Sequence, residues 1–417
     1  MDNKKSDIWR GEWWLPCEDN VQPLKIAGTL TYTENEKPQL ELLLNSNTNP
    51  IFHVLMGMQP VIFGEDLTGE KYTVFNVYIL YITSSSVVLR AEYFVKGAHI
   101  KSLDDKCILR ATVNYPNLKQ WVLYKRLFLE ETDEETKLTI KNNPPAGMLS
   151  AEIEEGVTWN LRSQLQCNPS ESEWHIFQDT VFGIRSTQLL SVNDILRHAS
   201  EFSQFFSVAM LSKQAPTHIF LWIEDKTETN VKLLFKQEPS AGGFFWHKLI
   251  RYDKLSGRLP SMMQQWHSSY NKIAPICTYL INSLESKSNF SAPDFLIVEQ
   301  AVEGYFKRFH NKVKTSNGKD RTKLPDELQE MLNYFASVEK IKSLQIDLDV
   351  LTQTRDHYTH LIPDGEKPKA IKDMNELYGI TQNLKLLLIC CILDYLGLPS
   401  DEINECFKNS VNMDLYI

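Results

Sequence analysis

Two periodicities divide the chain. From about residue 20 to 125, short apolar runs alternate with polar turn residues, which predicts strands. Lys25–Thr33 and Gln39–Asn45 flank the polar segment Glu34–Pro38 and read as a hairpin. Tyr72–Ile82 and Val87–Val95 are rich in β-branched and aromatic residues, with Thr83–Ser86 as the turn between them. The acidic run Glu130–Glu135 reads as a solvated loop, and Asn142–Gly147 as a turn or linker. A helix is predicted over Ser191–Ser212, with Ser191 as its cap and Ile195, Phe202, Phe205, Phe206, Ala209 and Met210 as its apolar side. His218–Glu224 and Val231–Phe235 read as strands again.

From about residue 262 the spacing becomes helical. Phe295, Val298, Val302, Tyr305 and Phe309 form one stripe, and Pro293 and Asp294 suit the start of that helix. Pro325-Asp326-Glu327 opens a second helix with Leu328, Met331, Leu332 and Phe335 on its apolar side. Ile341, Leu344, Leu348 and Leu351 mark a third. The fourth, Ile380–Leu396, is apolar nearly all round from Leu386 to Leu393, so it belongs inside a bundle or at a subunit interface. Gly397, Leu398 and Pro399 stop it. The predicted architecture is α+β in two domains: a β-rich N-terminal domain over 1–255, a connecting helical segment over 256–284, and an α-helical bundle over 285–417.

Composition adds exclusions. The chain has 417 residues, 42% hydrophobic and 23% charged, ordinary for a globular protein and long enough for two or three domains. All nine tryptophans fall at or before Trp266, and the last 151 residues have none. The net charge of −9 argues against indiscriminate coating of nucleic acid. Leu386–Leu393 is short of the roughly 20 residues a membrane span needs, and no secretory signal follows the N-terminal lysines. The expectation is a cytoplasmic protein without a membrane partner. Seven cysteines without a CxxC pair support neither a zinc ribbon nor a disulfide framework, and no metal or cofactor is expected. Gly64 to Tyr72 has the glycine spacing of a phosphate loop. However, Glu70 displaces the lysine and Tyr72 replaces the magnesium-binding hydroxyl residue, so a hairpin turn is the better reading. Trp246-His247 and Trp266-His267 read as structural pairs.

The chemistry converges on Thr354–Pro363, TRDHYTHLIP. Continuing the stripe 341, 344, 348, 351 reaches 355, where an apolar residue is expected and Arg355 stands. A guanidinium there must be paired or lie in a polar cleft. Pro363 biases Ile362 away from helix, so His360 falls in or just past the last turn. The two are five residues apart, about 140° around a helix, and can flank one groove without stacking on one face. This R-x4-H pattern, late in a helical bundle, resembles the signature of HEPN-domain ribonucleases. Many members have Asn after the Arg, where this chain has Asp356. Many also carry an acidic residue on an early helix, a role that Glu303 fits. A β-rich domain of about 250 residues ahead of such a bundle resembles the ApeA-type abortive-infection proteins of bacteria.

The resemblance implies metal-independent endonucleolytic cleavage of RNA with the 2′-hydroxyl as internal nucleophile. His360 would serve as general base or acid, and Arg355 would bind the scissile phosphate and stabilise the transition state. Asp356, His357 and Tyr358 would support substrate positioning. It further implies a homodimer or higher homo-oligomer with two motifs facing one cleft, to which the apolar helix 386–393 would contribute. The implied role is antiphage defence: host or phage RNA, tRNA among the candidates, is the target, and a phage-derived trigger is sensed by the N-terminal domain. Between Lys307 and Lys323 the chain carries Lys307, Arg308, Lys312, Lys314, Lys319, Arg321 and Lys323 against Asp320 alone, which reads either as a solvated loop or as a phosphate-contacting arm. Two other readings stay open: a non-catalytic bundle for binding or assembly, and a carbohydrate- or peptide-binding protein acting through the Trp-rich β domain.

Overall fold

The computed structural model describes residues 6–17, 21–44, 59–123, 127–131, 136–140, 149–169, 174–224, 231–240, 248–286, 291–310, 323–363 and 365–410. Lys312, Lys314, Lys319, Arg321, the segment 142–147 and Trp246-His247 lie outside them. Compactness divides the chain into two units. One holds Met1–Lys119, Tyr124–Ser200 and Ala215–Pro239; the other holds Gln120–Leu123, Glu201–Gln214 and Ser240–Ile417. The architecture is α+β, a β-rich N-terminal part followed by a helical C-terminal part.

The first unit is built around a closed barrel. Its strands are β1 (Asp7–Trp14), β2 (Ile26–Tyr32), β3 (Gln39–Leu43), β4 (Gln59–Asp66), β5 (Lys71–Ile82) and β6 (Ser86–Arg90). They run β5-β4-β1-β2-β3-β6, and β6 pairs back onto β5. The expected strand Val87–Val95 is in fact two, β6 and β7 (Tyr93–Lys96), and the break makes closure achievable. Asn76 in β5 adopts φ 54°, a left-handed conformation that asparagine tolerates. Beyond it the edge of β5 changes partner: Tyr78–Ile82 pair with β6, and Tyr72–Phe75 pair with β7. β6 thus closes the barrel through β3, while β7 leads outward. Trp13, Leu30, Leu40, Tyr72, Val74, Val87 and Phe94 belong to one buried cluster. Gly64 is required there, because a Cβ would sit 2.2 Å from the Trp13 ring. The Gly64–Tyr72 segment is a hairpin turn: Asp66 accepts hydrogen bonds from the backbone N–H groups of Thr68 and Glu70 and from the Tyr72 hydroxyl, and Gly69 has φ 83°.

Outside the barrel come β8 (Ile108–Asn114), a separate hairpin of β9 (Leu127–Glu131) and β10 (Thr136–Ile140), then β11 (Ser150–Glu154), β12 (Val157–Pro169), β13 (Trp174–Leu190), β14 (His218–Ile223) and β15 (Val231–Phe235). From β7 the sheet continues β15-β14-β8-β13-β12-β11. Two expectations change. Glu130 and Glu131 lie in β9 rather than in a loop, and the long ribbon β12–β13 occupies a stretch for which no strand was anticipated.

The helices are α1 (Leu118–Val122), α2 (Val192–Met210), α3 (Tyr252–Leu255), α4 (Leu259–Ser268), α5 (Tyr270–Glu285), α6 (Ala292–Phe309), α7 (Leu324–Tyr334), α8 (Glu339–Lys342), α9 (Leu348–His360), α10 (Met374–Tyr395) and α11 (Ser400–Asn409). At the start of α2, the Ser191 hydroxyl accepts from the Asp194 backbone N–H at 3.1 Å, as its role as a cap requires. In the second unit α6 packs against α5 and α10, and α9 against α6 and α7. Leu386–Leu393 is buried within this one chain, so the apolar run is the bundle's own centre and is not available as a dimer surface. α10 is long and apolar enough to cross a membrane, but it is the core helix of its bundle. Among its neighbours, Lys385 and Asp294 form a buried ion pair at 3.3 Å, with the Ser283 hydroxyl donating to Asp294. The single helix expected across Ile341–Leu351 is interrupted. α8 ends at Lys342, and Asp347 caps α9 by accepting from the backbone N–H groups of Asp349 and Val350.

Candidate active site

Arg355 owes its place to α9. Leu351 and Thr354 are buried on the side facing α6 and α7, and the Thr354 hydroxyl is satisfied by the Val350 carbonyl at 2.7 Å. Arg355 shares the face of Leu351 and Leu348, one and two turns behind it. Its side chain is 28% exposed and stands among three carboxylates: Asp356 at 3.3 Å, Glu303 at 3.6 Å and Glu299 at 3.9 Å. Glu299 and Glu303 lie one turn apart on α6, so the site is the crossing of α6 and α9.

Glu299 is the residue that sequence reasoning missed. It is 1% exposed, and among the described residues neither carboxylate oxygen receives a hydrogen bond and the one ion-pair neighbour is Arg355. Burial, reinforced by the nearby Glu303 charge, pushes it up to about 7 despite Arg355. A signal was present: position 299 falls four residues after Phe295 and three before Val302, inside the apolar stripe. Glu303 also pairs with Lys307 on its own helix.

The residues following Arg355 are held by the chain that returns past α9. Burial raises the Asp356 carboxyl, but hydrogen bonds from Lys367, at 2.9 Å, and from Arg355 prevail and hold it below the usual carboxylate range. The Tyr358 hydroxyl donates to the Ile371 carbonyl, the Ile371 N–H donates to the Thr354 hydroxyl, and Lys369 reaches Asp349 at 2.6 Å. Asp356 and Tyr358 therefore strap the segment 367–371 onto α9. His357 lies edge-on to the Tyr358 ring at 4.9 Å. His360 is the last helical residue and is exposed, followed by Leu361 in a left-handed capping conformation with φ 51°. The structure thus brings Arg355, Glu303 and Asp356 together, adds Glu299, and leaves His360 at the open end of the same helix.

Of the basic residues, Lys307 is tied to Glu303, Arg308 donates to the Lys272 carbonyl at 2.7 Å, and Lys323 precedes α7. The guanidinium's carboxylate partners are hydrogen-bond acceptors of the kind that phosphate oxygens replace, and its partial exposure leaves one side open to such an exchange.

Two family models match the chain: ApeA N-terminal domain 1 over residues 8–266, and Apea-like HEPN over residues 278–402. No curated protein matches, and no solved structure does. The N-terminal match alone covers more than half of the chain, and the second contains the whole α6–α9 crossing. The chain belongs to the ApeA family of HEPN proteins, the antiphage family whose signature residues its sequence resembles.

Proposed function

We propose that the chain is a metal-independent endoribonuclease effector of bacterial antiphage defence, acting on RNA in the cytoplasm, with tRNA among its targets. The observation that carries this reading is a half-buried, partly open Arg355 at the α6–α9 crossing of an Apea-like HEPN domain, with exposed His360 ending the same helix. Arg355 binds the scissile phosphate in place of a carboxylate and offsets charge gained in the transition state. His360, an imidazole suited to proton transfer near neutral pH, takes the 2′-hydroxyl proton or delivers one to the leaving 5′-oxygen. The requirement for a 2′-hydroxyl selects RNA over DNA. Five residues of helix separate the two groups by about 7.5 Å along the axis. A second copy of the chain would bring another such pair to the cleft, using a surface other than α10. The β-rich N-terminal part receives the phage-derived trigger.

Incubation of the full-length protein with RNA in EDTA tests the reading. His360→Ala should lower cleavage by about 10²- to 10⁴-fold without loss of folded protein. Arg355→Ala should lower it by at least about 10²-fold. Cleavage at the wild-type rate in both variants would refute the assignment. The engagement of Arg355 by three carboxylates favours a second reading, a bundle used only for binding or assembly. Absence of cleavage by the wild type in phage-infected cells would support it.

A further inference from the structure

The end of α6 carries a second feature on the same side as the candidate site. His310 follows Glu303 by seven residues, which is about two full turns, and so lies on nearly the same face about 10 Å further along the axis. Its ring stacks flat on Phe306 at 5.3 Å with an interplanar angle of 1°. Tyr334, at the end of α7, meets the His310 ring edge-on at 5.6 Å. Phe309 packs on Tyr395 at 4.6 Å alongside. Tyr334 is 56% exposed, unusual for so large a ring, yet it is fixed: its hydroxyl donates to Asp394 at 3.0 Å, and Phe335 packs against it at 4.9 Å. Lys307, in the last turn of α6 and paired to Glu303, and Lys323, just ahead of α7, are exposed cations close to this shelf along the chain, whereas Arg308 is turned to the Lys272 carbonyl. Asp394 is the facing acid; burial raises its carboxyl, against the Tyr334 hydrogen bond and the nearby His310.

An oriented, solvent-facing aromatic ring beside cations is the arrangement that holds an unstacked base while its phosphates meet the positive charges. We propose that the His310–Tyr334 shelf binds an unpaired base of single-stranded RNA one or two nucleotides from the phosphate held by Arg355. The inference rests on the RNA reading above and deepens it by naming an unpaired base at a set distance from the cut. Fixing Tyr334 through Asp394 in the free protein lowers the entropy lost when a base stacks on it.

The test uses full-length protein carrying His360→Ala, which keeps the RNA intact. Its binding to a labelled single-stranded RNA, and to the same strand with abasic sites, is followed by fluorescence anisotropy. Adding Tyr334→Ala should weaken binding of the normal strand by about 5- to 100-fold and leave the abasic strand unchanged. Tyr334→Phe, which keeps the ring and loses only the hydrogen bond to Asp394, should bind within about twofold of the parent. Equal binding by Tyr334→Ala, while wild-type protein still cleaves RNA, overturns the shelf and leaves the nuclease reading standing. A loss shared by the abasic strand, or one that accompanies a change from dimer to monomer in light scattering, overturns it as well. Failure of the parent to bind any RNA removes both proposals together.

Discussion

Glu299 shows what one residue contributes. Its carboxyl is raised from an ordinary 4.5 to about 7, so between those values the folded chain holds a proton that the unfolded chain has released. The stabilisation from this proton is complete below the window and is lost as pH rises through it. Glu299→Gln keeps the shape and removes the titration. Between about pH 4.5 and pH 7.5, wild type should lose on the order of 2–3 kcal/mol more than the variant, read from urea unfolding. Parallel slopes would refute this assignment of the proton. Arg355 was legible in the sequence because a cation stood where an apolar residue was due. Glu299 stood in an equally apolar stripe, but the resemblance gave the acidic role on that helix to Glu303, one turn further on. Which carboxylates meet Arg355 is decided by where α6 crosses α9, and that is set by packing between distant segments.

At the level of elements, the Lys385–Asp294 pair ties the core helix to the start of α6. Burial lowers Lys385, and the facing Asp294 opposes that shift. Lys385→Met would strand a buried carboxylate and should cost about 3–5 kcal/mol, whereas the double change with Asp294→Leu should recover most of it. Thermal unfolding of the two variants checks this; equal losses in both would refute the coupling. Sequence patterns identified most helices here because each buries one stripe over several turns. They ran Ile341 to Leu351 together, since the apolar spacing carries across the Ser343–Asp347 break and only the Asp347 cap marks the restart. In the β unit, strand-forming residues gave away β5, β14 and β15. The split of Val87–Val95 escaped notice because it depends on which neighbour each half pairs with, a matter of closure rather than local preference. In β12 apolar and polar residues alternate from Val157 through Trp159, Leu161 and Leu165 to Cys167, broken only by Ser163, so this strand was legible in its periodicity; β13 loses the alternation between Gln178 and Val181.

For the molecule as a whole, charge is the lever on RNA. A chain of −9 repels a polyanion on average, so binding must depend on local cations. Replacing Lys307, Lys312, Lys314, Lys319, Arg321 and Lys323 by glutamine should flatten the plot of log binding constant against log salt, by up to about 0.7 for each cation that contacts a single strand. An unchanged slope would take this segment out of RNA recognition. The resemblance to HEPN proteins was readable because R-x4-H survives intact in TRDHYTH, while its setting among three carboxylates was not.

The position of α10 has a further consequence. Among the described residues, only α11 follows the helix that fills the bundle's centre, so that helix is synthesised after α6 and α9. A nascent chain therefore exposes α9, with Arg355 and His360, before α6 has its principal packing partner. Until translation has passed Tyr395, their crossing lacks the support of α10. A product ended before α10 would contain Arg355 and His360 and lack the helix against which α6 packs, so on the proposed reading it should show no RNA cleavage.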